Sequence, residues 1–406
     1  MKKEQEKIVA LKGPDRVRKR PAVIFGSDGA EGVETAIKTL LDIFMTEAAL
    51  GLSSGIDLAI HTDNSVSIRS HDRGFLLDES VIDGKPAWHY VFCEMYSGPR
   101  QADEEYYYSL GSHHNNLYGQ TDTPMGKYQV DSDHFFDLCC VQYASKFMHV
   151  ESVHDSYKKK LDFEKGYSVS ETKKEITTDN SYTLIHFLAD PEVFGDVNIS
   201  SKPIASFLKN AAVTIHGLKC SVYDARTNEK QVFSYPNLTE DYAKERAANL
   251  SLPLFTRTIE ARGKDRYNRS EYDAKIKLVL GFADGSGSAV CLHNYRELEN
   301  GGEHFEALKE QLMKYINWEF LWDFKADDNA SNKSIELRFD DIKNNVVLIL
   351  ETNCTKYASD YVNATKKAIK NRMITDMAHD LISVEFESYL KQNREEIFAI
   401  LKGRKK

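Results

Sequence analysis

Few residues of this chain combine a reactive type with a spacing that would let them act together. The adjacent His113 and His114 have metal-ligand side chains, but they stand in a segment rich in Tyr, Ser, Asn and Gly, which favours an exposed polar loop. No serine or cysteine has a recognisable base partner, so a covalent nucleophile is not indicated. The six cysteines show no CxxC or Cys/His zinc spacing, and we interpret them as buried thiols of a cytosolic protein. No metal site is therefore predicted.

Hydrophobic periodicity predicts both helices and strands as the elements that position any site. "VETAIKTLLDIFMTEAALG" has apolar residues at helical spacing and ends in Gly51, which is typical of a helix C-cap. "IDLAIHTDNSVSIRS" is typical of two strands joined at a "DN" turn. Further strands are predicted in "YTLIHFLAD", "AAVTIHGLKCSVYD", "IKLVLGFADGSGSAVCLHNY" and "NNVVLILETNC". Helices are predicted in "GEHFEALKEQLMKYINWEF" and over 365–401, while 80–135 is predicted to be an irregular loop. The pattern indicates an α+β chain with layered domains.

Composition limits the classes of function. The 406 residues fit two or three domains, and 41% hydrophobic with 28% charged residues is ordinary for a globular protein. A net charge of −9 does not favour a general nucleic-acid surface, and the basic run Lys158–Lys160 is interpreted as a solvated face. No apolar run reaches ~18 residues, and the N-terminus lacks signal-peptide features, so no membrane association and a cytoplasmic location are expected.

Several segments, in order along the chain, resemble the B subunits of type IIA topoisomerases. "LKGPDRVRKRPAVIFG" resembles their N-terminal signature, and "IHTDNSVSIRSHDRGF" the strand pair that leads into their second ATP motif. "FADGSGSAVCLHNYRELENGGEHFEAL" resembles the stretch around their Gly-Gly-Thr-His motif, "YVNATKKAI" the segment of their Gln-Thr-Lys motif, and "ESYLKQN" the end of that domain.

This resemblance implies an α+β fold with three parts. They are an N-terminal arm at 1–25, a GHKL (Bergerat-type) α/β sandwich domain at 26–250 and a ribosomal-protein-S5-like transducer domain at 251–406. No segment resembles the Toprim domain of the family, so the chain is not expected to cleave DNA alone.

The resemblance also implies a position for the ATPase machinery, on the helix around residue 40. In-line attack of water on a γ-phosphate needs a base and a magnesium ion. The family supplies a Glu and, four residues later, an Asn, on one face of this helix. An ungapped count from "IHTDNS" places Thr39 and Ile43 at these positions. Threonine is no base at neutral pH, and isoleucine offers no oxygen to magnesium. We therefore predict no catalytic residue here.

The adenine motif of the family, Asp-x-Gly-x-Gly, is also altered. Here it is Ser70-His71-Asp72-Arg73-Gly74. A neutral hydroxyl replaces the carboxylate at Ser70, and charge-assisted hydrogen bonds are about twice as strong as neutral ones. Asp72 replaces a glycine that lets the nucleotide approach the backbone. The glycine-rich lid corresponds either to "SLGSHHNN" or to "DSDHFFD", and the acidic residues of the latter would repel phosphate.

Other positions of the family site are retained. Thr183 matches a threonine of the nucleotide site, and Lys366 matches the transducer lysine that reaches the γ-phosphate, although Ala364 replaces the neighbouring glutamine. Glu47 and Arg73 match a Glu–Arg pair, which we predict to be a buried or half-buried structural ion pair. A structural role for Thr183 and a plain surface position for Lys366 stay open.

Three functions are compatible with these residues. The first is a catalytically silent ATPase-like protein that binds or regulates a partner, such as DNA, a type II topoisomerase or a drug-like gyrase ligand, with no cofactor. The second is an active ATPase that uses ATP and Mg²⁺ in a rearranged site, with Glu47 or another acid as base. The third is a DNA-handling clamp, since the family transducer lines a cavity for a duplex.

Assembly follows from the same resemblance. In the family an N-terminal arm reaches the second subunit and ATP closes the dimer, and a ligand shifts an equilibrium only through differential affinity. Without ATP, we expect a nucleotide-independent homodimer or a complex with a type II topoisomerase subunit. The Tyr-rich segment 106–118 is predicted to contribute to that interface.

Overall fold

The computed structural model divides into two compact units. The first contains the described residues up to Leu208 together with Leu218–Phe233, and the second contains Lys209–Gly217 and the described residues from Ser234 onward. The boundaries predicted at 25/26 and 250/251 stay predictions. The structure describes residues 11–49, 51–75, 77–78, 84–95, 138–178, 180–247, 249–264, 271–327, 336–354, 359–362 and 367–402.

The helix predicted around residue 40 is confirmed, and it is the long helix of the first unit. Its apolar residues recur at helical spacing, and most of its residues are buried. Gly51 follows the helix with a φ of 76° and donates its N–H to the carbonyl oxygen of Ala48. The helices up to residue 214 are α1 (Asp15–Arg18), α2 (Pro21–Phe25), α3 (Ala30–Ala49), α4 (Ala87–Cys93), α5 (Leu138–Tyr143), α6 (Pro191–Phe194) and α7 (Ser201–Thr214).

An eight-stranded sheet forms the other layer of the first unit, in the order β5-β4-β3-β6-β2-β1-β7-β8. β1 and β2 form the predicted antiparallel hairpin, with Asn64 at a φ of 63° in its turn. β1 also pairs in parallel with β7. The strands are β1 (Gly55–Ile60), β2 (Val66–Ser70), β3 (Ser145–His154), β4 (Tyr157–Glu164), β5 (Tyr167–Glu175), β6 (Tyr182–Ala189), β7 (Lys219–Asp224) and β8 (Glu229–Phe233).

Two predictions of secondary structure are wrong in part. The segment "AAVTIHGLKCSVYD" is a strand only over β7, because its first four residues, 211–214, complete the amphipathic helix α7. Its β-branched residues resemble a strand, but Ile204, Leu208 and Ala211 form a buried stripe at helical spacing. Within the predicted irregular loop at 80–135, Ala87–Cys93 is a helix, and most of the rest lies outside the described residues.

The second unit is built on a five-stranded sheet in the order β12-β11-β13-β10-β9. Its strands are β9 (Phe255–Lys264), β10 (Glu271–Phe282), β11 (Ser288–His293), β12 (Arg296–Glu297) and β13 (Val346–Cys354). Its helices are α8 (Thr239–Arg246), α9 (Glu303–Asp327), α10 (Phe339–Ile342), α11 (Arg372–Leu381), α12 (Val384–Gln392) and α13 (Arg394–Lys402). The helical stretch predicted over 365–401 is thus three helices that begin at Arg372.

Strand β13 is buried along its whole length because both of its faces are covered. Leu348 and Leu350 belong to a core that includes residues of α9 and α11. Val347 and Ile349 point the other way, into a smaller cluster that includes Tyr242 of α8. Among the helices that the structure describes, none combines the length and apolar character needed to cross a bilayer.

Candidate functional site

Helix α3 places the two altered positions of the ATPase helix in the interior of the first unit. Thr39 is 6% exposed, and its hydroxyl donates to the carbonyl oxygen of Thr35, one turn earlier in the same helix, at 2.9 Å. Ile43 is 4% exposed and presents only an apolar surface. Asp42 and Glu47 are buried acidic residues of the same helix. The helix therefore contains acids, but not at the two positions that the resemblance assigns to catalysis.

The loop after β2 centres on the carboxyl group of Asp72. Its Oδ1 accepts hydrogen bonds from the backbone N–H of Gly74, at 2.8 Å, and from the hydroxyl of Thr183, at 3.1 Å. Its Oδ2 is buried and has no hydrogen-bond partner within the described part of the chain. Burial raises the pKa of Asp72 above its ordinary value, although hydrogen bonds from Gly74, Thr183 and Ser70 act in the opposite direction.

This arrangement joins three of the predicted site residues, Asp72, Gly74 and Thr183, whose assignment to a nucleotide site stays a prediction. From the sequence, Asp72 counted as the loss of a glycine. In the structure, the carboxyl group of Asp72 contacts Thr183. Asp72 stands two residues after Ser70, the position where the family carries its aspartate. Ser70 is engaged with Ser53, hydroxyl to hydroxyl at 2.9 Å. The aspartate itself was the available sequence signal, but its contact with β6 could not be known without the strand order.

Gly74 has a structural role that the sequence did not indicate. Its φ is 77°, and a Cβ at this position would overlap the backbone oxygen of Val153 on β3. Close approach of the loop to β3 therefore requires this glycine, whether or not a nucleotide binds. The hydroxyl of Ser152 on the same strand donates to the carbonyl oxygen of Phe75, at 3.0 Å.

The predicted pair between Glu47 and Arg73 does not form in this structure. The structure describes both residues, and no ion pair joins them within it. Nε and Nη2 of Arg73 are buried without a hydrogen-bond partner, and its carbonyl oxygen lies 2.6 Å from Nδ1 of His154. Matching positions with the family therefore identified one buried residue, Glu47, and one half-buried residue, Arg73, but not their contacts.

Two segments of family resemblance serve the fold. Arg18, in the N-terminal signature, donates to the carboxylate of Asp190 at 2.6 Å and to the carbonyl oxygen of Tyr143 at 3.1 Å. His304, in the segment 301–304 that resembles the Gly-Gly-Thr-His motif, is buried at the start of α9, and its Nε2 lies 3.2 Å from Sγ of Cys291. Burial lowers the pKa of His304 to about 4, so this histidine is neutral at physiological pH.

Several predicted residues lie outside the described part of the chain. They are Lys366, Ala364, His113, His114, both candidate lid segments and the Tyr-rich segment 106–118. The basic run at 158–160 is described, and all three lysines form ion pairs with acidic residues: Glu151, Asp78 and Glu171.

The two positions that the resemblance assigns to the base and to the magnesium ligand carry neither kind of group. Magnesium requires oxygen ligands, whereas Ile43 is apolar and the hydroxyl proton of Thr39 is engaged within its own helix. Across the part of the chain that the structure describes, no group of three or more His, Cys, Asp or Glu side chains could hold a metal ion. The donors around Asp72, the N–H of Gly74 and the hydroxyl of Thr183, are engaged by its own carboxyl group.

Comparisons with known proteins agree with the sequence resemblance. The family model "DNA gyrase B" matches residues 239–405. The B subunit of DNA gyrase from Clostridium acetobutylicum is 24% identical over 96% of this chain and 56% of its own length. The B subunit of DNA topoisomerase 4 from Bacillus subtilis is 22% identical over 98% of this chain and 56% of its own length. The chain thus spans somewhat more than half the length of these relatives.

Solved structures show the same fold. The 43K ATPase domain of Thermus thermophilus gyrase B, solved with an aminocoumarin, matches 96% of this chain and 93% of its own, with a TM-score of 0.63 and 18% identity. The topoisomerase IV ATP-binding domain of Francisella tularensis, solved with a small-molecule inhibitor, has a TM-score of 0.63 and 16% identity, and the match covers 97% of this chain and 96% of that domain. The chain therefore has the GHKL ATPase-plus-transducer fold, and it resembles the corresponding region of the type IIA topoisomerase B subunits.

Proposed function

We propose that this chain is a catalytically silent relative of the topoisomerase ATPase–transducer region and works as a binding or regulatory protein. Its partner class is a type II topoisomerase subunit or DNA. The supporting observation is the face of α3, where the hydroxyl of Thr39 is used inside the helix and Ile43 is apolar and 4% exposed.

The chemistry of phosphoryl transfer explains why these two positions matter most. Catalysis of this reaction is almost entirely positioning and charge stabilisation, and the metal ion neutralises the charge that develops on the phosphate. A positioned general base alone contributes roughly 10²–10⁴-fold. A chain that lacks both groups retains at most the capacity to bind, which is why we propose a binding role.

An active ATPase with a rearranged site is the second candidate. Three buried acids favour it: Asp42 and Glu47 on α3, and Asp72 in the loop after β2. The unpartnered Oδ2 of Asp72 is an acceptor that a base or a ligand donor could use. In this alternative, one of the three acids replaces the missing base, and the chain requires ATP and Mg²⁺.

Turnover and binding measurements with ATP and Mg²⁺ separate the two candidates. We expect no hydrolysis above background by the purified chain, and isothermal titration reports separately whether any nucleotide binds. The variants Glu47→Gln and Asp72→Asn identify a replacement base, and Glu260→Gln, in an exposed strand of the second unit, is the matched control. Turnover that disappears in one site variant and persists in the control would refute catalytic silence.

Oligomeric state tests the partner assignment. We propose a homodimer that forms without nucleotide, or a complex with a type II topoisomerase subunit through the same surface. Light scattering over a concentration series, with and without ATP, distinguishes the outcomes. A monomer at every concentration discards the homodimer, and a dimer that appears only with ATP argues for the active alternative.

A further inference from the structure

Strand β13 carries a carboxyl group in an apolar position. Glu351 lies between Leu350 and Thr352 and is 5% exposed. Its Oε1 accepts a hydrogen bond from Nδ2 of Asn353, at 3.0 Å, whereas its Oε2 is buried and has no hydrogen-bond partner among the described residues. A buried carboxylate oxygen without a partner is costly, so the ionised form needs a second partner.

Lys277 of β10 is placed to be that partner. It is the residue directly opposite Glu351 in the antiparallel β10–β13 ladder, and directly opposed Cβ atoms lie roughly 4.5–5.5 Å apart. Its ammonium group is instead bound to Oε2 of Glu240, in the first turn of α8, at 2.7 Å. Lys277 thus lies near two carboxyl groups, those of Glu351 and Glu240, and forms an ion pair only with Glu240 of α8.

Two lysines of β10, Lys275 and Lys277, act electrostatically on Glu351, and Lys277 is the one directly opposite it. Lys275 of β10 lies in the next row, opposite Asn353, and is associated with Glu260 of β9 at 3.8 Å. On the other side of Glu351 the β11 neighbour is Leu292, and the β12 residue beyond it is Glu297. From α8, Glu240 is the acid that acts on Glu351.

Helix α8 is held near its N-terminus by Asn237, whose backbone N–H and Nδ2 donate to the carboxylate of Asp241 at 2.9 and 3.1 Å. Its N-cap residue, Leu238, has a φ of 50° and provides no side-chain cap, a conformation that is unfavourable for a bulky residue. The helix packs through Tyr242 and Ala243 onto an apolar patch of the sheet that includes Val279 and Ile349. The ion pair between Lys277 and Glu240 adds a contact from this first turn to β10, which the hydrogen bonds between Asn237 and Asp241 do not provide.

We propose that Lys277 is the moving part of a proton-controlled latch on α8. With Glu351 protonated, Lys277 holds Glu240 and keeps the first turn of the helix closed. When Glu351 loses its proton to solvent, the ammonium group transfers to the new carboxylate and releases Glu240. The latch lies within the second unit and does not depend on the proposed function.

The direction of titration agrees with this mechanism. Burial raises the pKa of Glu351, and Glu240 acts in the same direction, while the Asn353 hydrogen bond, Lys277 and Lys275 oppose it. A raised pKa means that the closed state keeps a proton that an ordinary glutamate loses near pH 4.3, so rising pH favours the open state.

Hydrogen exchange of the intact chain, followed by mass spectrometry and corrected for the intrinsic pH dependence of exchange, tests the latch. The amides of residues 242–246 in α8 should lose about tenfold protection between pH 6 and pH 9, since one linked proton changes an equilibrium by up to tenfold per pH unit. Amides of α9 in the same samples should keep their protection, which separates local opening from unfolding of the unit.

Three variants complete the test. Glu351→Gln keeps the acceptor for Asn353 and removes the titration, so α8 should stay protected at every pH. Lys277→Met should leave α8 weakly protected at every pH. Glu260→Gln, the partner of the neighbouring Lys275, should keep the wild-type profile, and thermal unfolding at pH 6 verifies that each variant folds. A flat wild-type profile, or a pH-dependent loss that persists in Glu351→Gln, would overturn the latch.

Discussion

Asp72 in the first unit and Glu351 in the second are both buried carboxyl groups with one unpartnered oxygen, but their surroundings differ. Burial raises the pKa of both. Asp72 is fixed by neutral donors, the N–H of Gly74 and the hydroxyl of Thr183, which bind the carboxyl group in either protonation state. Glu351 lies opposite a lysine whose ammonium group is engaged elsewhere. Similar burial therefore has two different consequences. Asp72 is held by fixed hydrogen bonds, whereas Glu351 lies opposite a lysine that could exchange one carboxylate partner for another.

Disrupting the close approach of the Asp72 loop to β3 should have the largest effect on stability. In Gly74→Ala the new Cβ would overlap the Val153 carbonyl at a φ of 77°, so we expect a loss of about 3 kcal/mol or more in the free energy of unfolding. Gly195→Ala is the matched control, because Gly195 has a φ of 71° and open space around it, and it should cost about 1 kcal/mol. Urea unfolding measures both, and equal losses would show that the contact with β3 does not fix the loop.

The fold was largely predictable, because periodicity alone identified α3, the β1–β2 hairpin and β13. The error at residues 211–214 arose where small and β-branched residues satisfy a helical stripe and a strand pattern equally well. The strand order, which places β6 beside β2 and brings Thr183 to Ser70 and Asp72, is a non-local property that no window of sequence contains.

The candidate site was predictable in its positions but not in its contacts. Comparison of motifs located Thr39, Ile43 and Asp72, and all three are buried in one unit. It did not predict the contact between Asp72 and Thr183. It predicted an ion pair between Arg73 and Glu47, and the described residues show none. A motif specifies residue types along the chain, whereas a hydrogen bond depends on side-chain directions that neighbouring strands determine.

The pH dependence of stability should be similar at the two acids. A raised pKa contributes stability that is present below the unfolded-state pKa, about 4, and is lost as pH rises through the folded-state value. Asp72→Asn and Glu351→Gln remove that loss, so each should gain about 1–2 kcal/mol at pH 8 and little at pH 4. Melting temperatures from pH 4 to pH 9 provide the measurement, and a gain that is larger at acid pH would contradict the sign.

A smaller effect should distinguish Asp72, which is held by fixed hydrogen bonds, from Glu351. Thr183→Val removes one neutral donor to Asp72 and should cost about 1 kcal/mol. The loss should grow with pH, because the ionised carboxylate needs this hydrogen bond more than the neutral acid does. A double-mutant cycle with Asp72→Asn measures the coupling of the two side chains. A coupling near zero would mean that the hydroxyl contributes packing alone.

The smallest effect should come from Lys275, the neighbour of Lys277 on the same strand. Its ammonium group lies 3.8 Å from Glu260, whose side chain is 56% exposed, and such surface pairs contribute about 0–1 kcal/mol. Lys275→Met should therefore change the free energy of unfolding by less than about 0.5 kcal/mol. Lys277→Met leaves Glu240 without its cation and should cost more. Chemical denaturation at pH 7 compares the free energies of unfolding of the two variants. Equal losses in Lys275→Met and Lys277→Met would mean that Lys277 gains no special role from lying opposite Glu351.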